Sequence, residues 1–196
     1  MKDISVKALA KINLGLDVVR KREDGYHEVR MVMQTIHLFD RLEISKNTSG
    51  EITMETNLSF LPTNENNLVY KAAKLLQDEF AIKDGVHVWL HKYIPVAAGM
   101  AGGSTDAAAV LYGMNQIFDL GLTREELMER GVKIGADVPY CIMRGTALAE
   151  GIGEKLSKLP PMVKCPVLIA KPQISVSTKF VYENMKLGSD MVHPDI

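Results

Sequence analysis

Two cysteines stand in 196 residues, Cys141 and Cys165. They lie far apart and form no metal-spaced pair, so neither a disulfide framework nor a paired-thiolate metal site is expected. The expectation is two buried thiols in a reducing cytoplasm. An excess of one charge is missing too. The formal balance is −1, which gives no general pull toward nucleic acid or an anionic membrane. No apolar run comes near the ~20 residues that span a bilayer. The start, Met1-Lys2-Asp3-Ile4-Ser5-Val6-Lys7, lacks the apolar stretch of a signal peptide. There is no internal repeat, low-complexity tract or long flexible linker. What is left is a cytoplasmic globular chain whose length suits one large domain, or one domain plus part of another.

Against that background one segment stands out: Pro95-Val96-Ala97-Ala98-Gly99-Met100-Ala101-Gly102-Gly103-Ser104-Thr105, followed by Asp106 and the run Ala107-Ala108-Ala109-Val110-Leu111. The glycines leave the backbone with little side-chain cover. Ser104, Thr105 and Asp106 are good capping residues, and the alanines then start a helix. A bare loop that feeds a helix N-terminus presents unpaired N–H groups and the positive end of the helix dipole, which suits a phosphate. An ordinary tight strand-to-helix turn is the competing reading. The loop is not a Walker A, because no Gly-Lys-Ser or Gly-Lys-Thr follows the glycines, and it lacks the spaced glycines of a dinucleotide fold.

The remaining pattern is that of alternating strands and a few helices. Strands are expected over 4–19, 29–38, 40–45, 51–56 and 86–90, with Asp24-Gly25 turning the first into the second. Asn64-Glu65-Asn66-Asn67 opens a helix whose apolar positions Leu68, Ala72, Leu75, Leu76 and Phe80 recur at helical spacing. The helix after the glycine loop should reach Phe118. Thr123 and Glu126 form a capping-box pattern. Residues 135–139 read as a break and 146–152 as a strand. Pro160-Pro161 is the candidate boundary, and 166–170 begins new strand-like material.

Several residues outside the loop could carry chemistry. Lys11 and Asn13 share one face of the first strand. They fit either a solvated face or a cation and an amide aimed into a pocket, and by itself the solvated face is the simpler reading. Tyr26 and His27 flank a turn and read equally well as a stacking ring with a hydrogen-bonding neighbour or as exposed edge residues. Asp137 lies between Ala136 and Val138, in apolar company that a carboxylate tolerates only with partners. It is a turn or cap residue, a general base, or a group that holds a nearby lysine. His87 and His91 sit in a strand with no acidic third ligand and read as same-face surface residues.

Taken together, these motifs resemble the GHMP small-molecule kinases. The resemblance rests on Lys11-Ile12-Asn13-Leu14, Asp24-Gly25-Tyr26-His27, the loop 95–105 and Gly135-Ala136-Asp137-Val138-Pro139. It also draws on Ala149-Glu150-Gly151-Ile152-Gly153-Glu154 and Ile174-Ser175-Val176-Ser177-Thr178. They occur in family order along nearly the whole chain. The Asp-Gly-Tyr-His segment and the lengthened loop point to the branch that acts on a cytidylyl sugar alcohol. The homoserine and mevalonate kinases are the alternative, and a noncatalytic nucleotide-binding or RNA-binding module is a third possibility that the near-neutral charge disfavours.

The resemblance implies an α+β, two-layer N-terminal domain of the ribosomal protein S5 domain 2-like type over 1–160, with a mostly antiparallel sheet, and the start of an incomplete C-terminal domain over 161–196. It implies ATP as co-substrate, Mg²⁺ with it, and a small cytidylyl substrate. By motif, Asp137 takes the catalytic aspartate position and Lys11 the catalytic lysine. Asn13, Tyr26, His27 and Tyr182 take substrate positions, with Phe180 as a rival to Tyr182 for stacking on cytosine, and Asn66 contacts the nucleotide near adenine. Met100-Ala101 stands where the wider family more often has Leu-Gly. No second glycine-rich loop follows Gly153, so a fragment or truncation is expected.

Overall fold

The computed structural model describes residues 3–172, 174, 178–185, 187, 192–194 and 196. Met1, Lys2 and Ser175-Val176-Ser177, used above, lie outside the described residues. The chain opens with a long antiparallel hairpin of β1 (Asp3–Lys21) and β2 (His27–Asn47). Gly25 takes φ 85° at the turn, a value that favours glycine. The expectation of two strands between residues 29 and 45 is corrected to one unbroken β2. Its far edge is shared by two partners, which explains the length: β5 (Thr146–Glu150) pairs along 31–34 and β4 (Gly85–His91) along 41–47. β3 (Ile52–Thr56) runs parallel to β4, and β6 (Lys155–Lys158), which the sequence did not suggest, runs antiparallel to β5. The sheet order is β3-β4-β2-β5-β6, with β1 on β2.

A helical layer covers one face. α1 (Leu68–Glu79) buries Val69, Ala72, Ala73 and Leu76, one stripe at helical spacing, and Asn67 caps it by accepting the Val69 N–H at 3.0 Å. α2 (Gly102–Ile117) is buried on nearly every side, as suits a central helix, and its alanines let it lie close to the sheet. Leu42, Ile44, Val88 and Leu90 from the sheet, Leu76 from α1 and Val110, Leu111 and Met114 from α2 meet in one core. α3 (Arg124–Val132) starts with the Thr123–Glu126 capping box. α4 (Val138–Met143) and α5 (Thr178–Asn184) complete the described helices. None of the described helices is long and apolar enough to cross a membrane.

Five expectations change. α2 begins at Gly102, so Ser104, Thr105 and Asp106 lie inside its first turns and do not cap it. Thr105 and Asp106 are committed elsewhere, to the Leu9 carbonyl and to Lys92. The break expected over 135–139 is present at 135–137, but α4 already starts at Val138, because Pro139 sits in its first turn, where the missing N–H costs nothing. Residues 166–170, expected as a strand, form none, and Cys165, expected to be buried, is exposed, while Cys141 is buried as expected. α5 adds a helix where none was expected. His87 and His91 lie 3.9 Å from Glu55 and Glu43, and no group of three metal-ligating side chains occurs among the described residues.

Gly85 shows how tightly the sheet is built. A Cβ there would collide with the Glu51 carbonyl and lie 2.6 Å from the Glu51 amide nitrogen. Gly85→Ala is expected to cost about 1–3 kcal/mol through forced backbone shifts, read as a lower urea midpoint with an unchanged slope.

Candidate active site

The glycine loop leaves the end of β4 and runs exposed over 95–97 before it dips at Met100, which is buried. Three of its residues hold left-handed backbone: Ala97 at φ 54°, Gly99 at φ 70° and Ala101 at φ 55°. Ala101 is the N-cap of α2 and brings no side-chain hydrogen bond. The leading N–H groups of α2 therefore have no capping partner, and the positive end of a 16-residue helix points out of the loop. The Thr105 hydroxyl turns away and donates to the Leu9 carbonyl at 2.8 Å, so of this residue the loop keeps the backbone.

β1 is tied to the loop directly. The Lys11 N–H donates to the Met100 carbonyl at 3.2 Å, beside a register shift between Leu9 and Lys11. The Lys11 side chain is buried, and its ammonium donates to Asn13 Oδ1 at 3.1 Å, with the Asn13 amide against the Met31 sulfur at 3.7 Å. The solvated-face reading of Lys11 is thereby excluded.

Asp137 heads α4, half-buried, and its carboxylate makes no capping bond. It forms no direct ion pair with Lys11 among the described residues; both instead act on the Cys141 thiol. Burial pushes that thiol well above its ordinary range, the Asp137 charge raises it further, and the Lys11 charge and a Thr105 hydrogen bond pull the other way. Asp137 also reaches Tyr182, whose phenol is raised first by burial and then by this carboxylate. The Tyr182 ring in turn faces His27, centroids 5.1 Å apart and tilted by 31°. Direct contacts thus join Lys11 to the loop and Tyr182 to His27.

The other positions are more scattered. Tyr26 is 61% exposed at the hairpin turn, and it is His27, not Tyr26, that meets Tyr182. Phe180 is exposed on α5. Asn66 is exposed, with its N–H and its side-chain amide both donating to Asn64 Oδ1 at 3.1 Å. It nonetheless stands two residues from Leu68, which lies 3.5 Å from where a Gly103 Cβ would be, so the start of α1 borders the loop.

The profile of the GHMP kinases N terminal domain matches residues 67–145, the stretch that holds α1, the loop, α2 and Asp137. The chain is 59% identical to the 4-diphosphocytidyl-2-C-methyl-D-erythritol kinase of Lachnospira eligens, over all of its own length and 68% of that protein. It belongs to the 4-diphosphocytidyl-2-C-methyl-D-erythritol kinase family. The kinase of that name from Lachnoclostridium phytofermentans is 62% identical over 98% of the chain and 66% of the relative. The chain thus spans about two thirds of the length of the curated family members it matches. A crystal structure of a 4-(cytidine 5'-diphospho)-2C-methyl-D-erythritol kinase superposes with a TM-score of 0.79 at 34% identity, covering 93% of this chain and 65% of that one. Homoserine kinase from Cytophaga hutchinsonii, at 19% identity and a TM-score of 0.67, shares the fold.

Sequence reasoning also missed a buried cluster under the loop of this family member. The Lys92 ammonium donates to Asp40 and, at 2.7 Å, to Asp106 Oδ2, and all three residues are buried. Lys92 precedes the glycines and so stands outside any Walker A pattern. The available signal was an acid at 40 inside a strand and an acid at 106 inside a helix, each costly to bury without a partner.

Proposed function

We propose that this chain carries the ATP-binding and catalytic part of an enzyme that transfers the γ-phosphoryl group of ATP to the 2-hydroxyl of 4-diphosphocytidyl-2-C-methyl-D-erythritol, a step of non-mevalonate isoprenoid precursor synthesis in the cytoplasm. What carries the reading is membership of the kinase family together with the buried Lys11, whose backbone N–H is bonded to the glycine loop at Met100. Residues 1–160 form the ATP-binding unit and 161–196 open a second one.

The loop 95–105 and the head of α2 take the donor phosphates on backbone N–H groups, and Asn66 borders the base. An alcohol is a weak nucleophile, and Asp137, uncommitted to its helix, accepts the hydroxyl proton as attack proceeds. The Lys11 ammonium offsets the charge that grows on the phosphoryl oxygens. Asn13 orients the ammonium and the substrate. The described residues offer no three-ligand acidic or imidazole cluster, which fits Mg²⁺ held mainly by the triphosphate, as is usual for this hydrated cation; when bound it neutralises donor charge. Tyr26, His27 and Tyr182 receive the cytidylyl group.

The deciding assay couples ADP release to a visible signal, with the cytidylyl alcohol, homoserine and mevalonate as competing acceptors. It is run on this chain and on one extended to the length of its relatives. Turnover with the cytidylyl alcohol alone is the expected result, and equal stimulation by homoserine or mevalonate defeats the assignment. Tyr26→Ala is expected to raise KM for the cytidylyl substrate through lost stacking, worth about 1–3 kcal/mol per base, with kcat little changed. An unaltered KM removes Tyr26 from the substrate site.

A further inference from the structure

The chemistry proposed above leaves the cluster under the loop unused. Asp40 of β2, Lys92 just beyond β4 and Asp106 of α2 set two buried carboxylates against one ammonium. Asp40 is fully engaged: one oxygen takes Lys92, and the other accepts the backbone N–H groups of Tyr93 and Ile94, the latter at 2.8 Å. Asp106 is not. Its Oδ2 accepts from Lys92, while its Oδ1 is buried with no hydrogen-bond partner. A buried lone acceptor of this kind is costly, and far more so when it carries charge.

The cluster lies directly beneath the anion-binding end of α2. A Cβ on Gly102, the first residue of that helix, would sit 3.1 Å from the Lys92 ammonium, and Asp106 follows one turn later. Burial pushes the Asp106 carboxyl up to about 8; the Lys92 charge opposes this and the Asp40 charge adds to it. The remaining titratable neighbour is the Cys141 thiol of α4, held neutral by its own burial, to which β1 brings the Lys11 charge and the head of α4 brings Asp137. From α1 the residue nearest the loop is the apolar Leu68.

We propose that Asp106 is a positioning residue that carries a proton when polyphosphate occupies the loop, so that nucleotide and proton bind together. The proton comes from solvent and settles on the orphan Oδ1. With it, Asp40 and Lys92 balance and the loop rests on a neutral base. Without it, the cluster holds one net negative charge under the site that must accept more. Linkage makes the effect mutual: bound phosphate raises the affinity of Asp106 for its proton. The proposal rests on the reading that the loop binds the phosphates of ATP.

The test is calorimetric titration of this chain with ADP. At about pH 8 it is repeated in two buffers of different ionisation heat, which counts protons taken up on binding. The wild type is expected to take up a proton fraction and to lose about fivefold in ADP affinity from neutral to alkaline pH. Asp106→Asn, close in shape, is expected to show neither effect and to keep binding in alkali. ADP binding by the wild type without proton uptake overturns the proposal, as does equal uptake by the variant. If the variant does not fold, the wild-type proton count decides alone. Failure to bind ADP at any pH instead strikes the loop assignment first and takes this proposal with it.

Discussion

Asp137→Asn, in a chain extended to the length of its relatives, is expected to lower kcat by about 10²–10⁴-fold, the range supplied by a positioned general base. ATP affinity should stay nearly unchanged, because the phosphates are assigned to the loop and the head of α2, not to this side chain. Stability should hold as well. The Asp137 carboxylate makes no capping bond to α4, so the amide removes charge without removing a structural partner. Lys11→Ala should cause a comparable loss of turnover. It differs in one respect: Lys11 is buried and bonded to Asn13, so part of its effect will be on stability, and the melting temperature of each variant must be measured beside its ADP-release rate. Substantial turnover in both variants, with folding intact, would falsify the acid–amine assignment.

Lys92→Met carries the largest expected effect on stability. It deletes the ammonium shared by Asp40 and Asp106 and leaves two carboxylates in a dry site. Removing one partner of a buried charge pair costs about 3–5 kcal/mol, a large fraction of the stability of an ordinary domain. Adding Asp106→Asn to this variant should recover part of the loss, and the non-additivity measures the coupling. The pH dependence has a definite sign. The folded-state carboxyl of Asp106 lies at about 8, above its ordinary value of 3.8. Between these values the folded protein holds a proton that the unfolded chain releases. Its contribution is therefore full below the ordinary carboxylate range, declines as pH rises, and is lost above about 8. Urea midpoints of the wild type should fall across that window more steeply than those of Asp106→Asn. Parallel curves for the two proteins defeat this account of the cluster.

The parts of the molecule that were legible in the sequence are those set by local chemistry. The helix over 68–79, read from the spacing of Leu68, Ala72, Leu75, Leu76 and Phe80, the Thr123–Glu126 box and the Asp24-Gly25 turn each act within a few residues, and each is present. Of that stripe only Ala72 and Leu76 are fully buried, and Phe80 is the exposed C-cap. The start of α2 was misread because Ser104, Thr105 and Asp106 have the right side chains for a cap. Distant partners, the Leu9 carbonyl and Lys92, engage two of them, and the helix begins ahead of them. Lys11 is a related case. Alternation placed it on a face, but its burial comes from the loop folded against β1. The Asp40–Lys92–Asp106 cluster was invisible because its members are joined across 52 and 14 residues of chain, with no periodicity to link them. Conversely, 166–170 has the composition of a strand but enters no ladder, and propensity without pairing does not make a strand.

The two alanines at Ala97 and Ala101 have a thermodynamic consequence for ligand capture. Glycine would take their backbone angles freely, whereas an L-residue with a Cβ pays about 1–2 kcal/mol for each. In exchange the segment has fewer shapes to explore before a guest arrives, so less disorder must be frozen out at the moment of binding. For the proposed nucleotide site this means a grip set in advance by stiffness, and glycine at either position should give a looser, slower-closing hold.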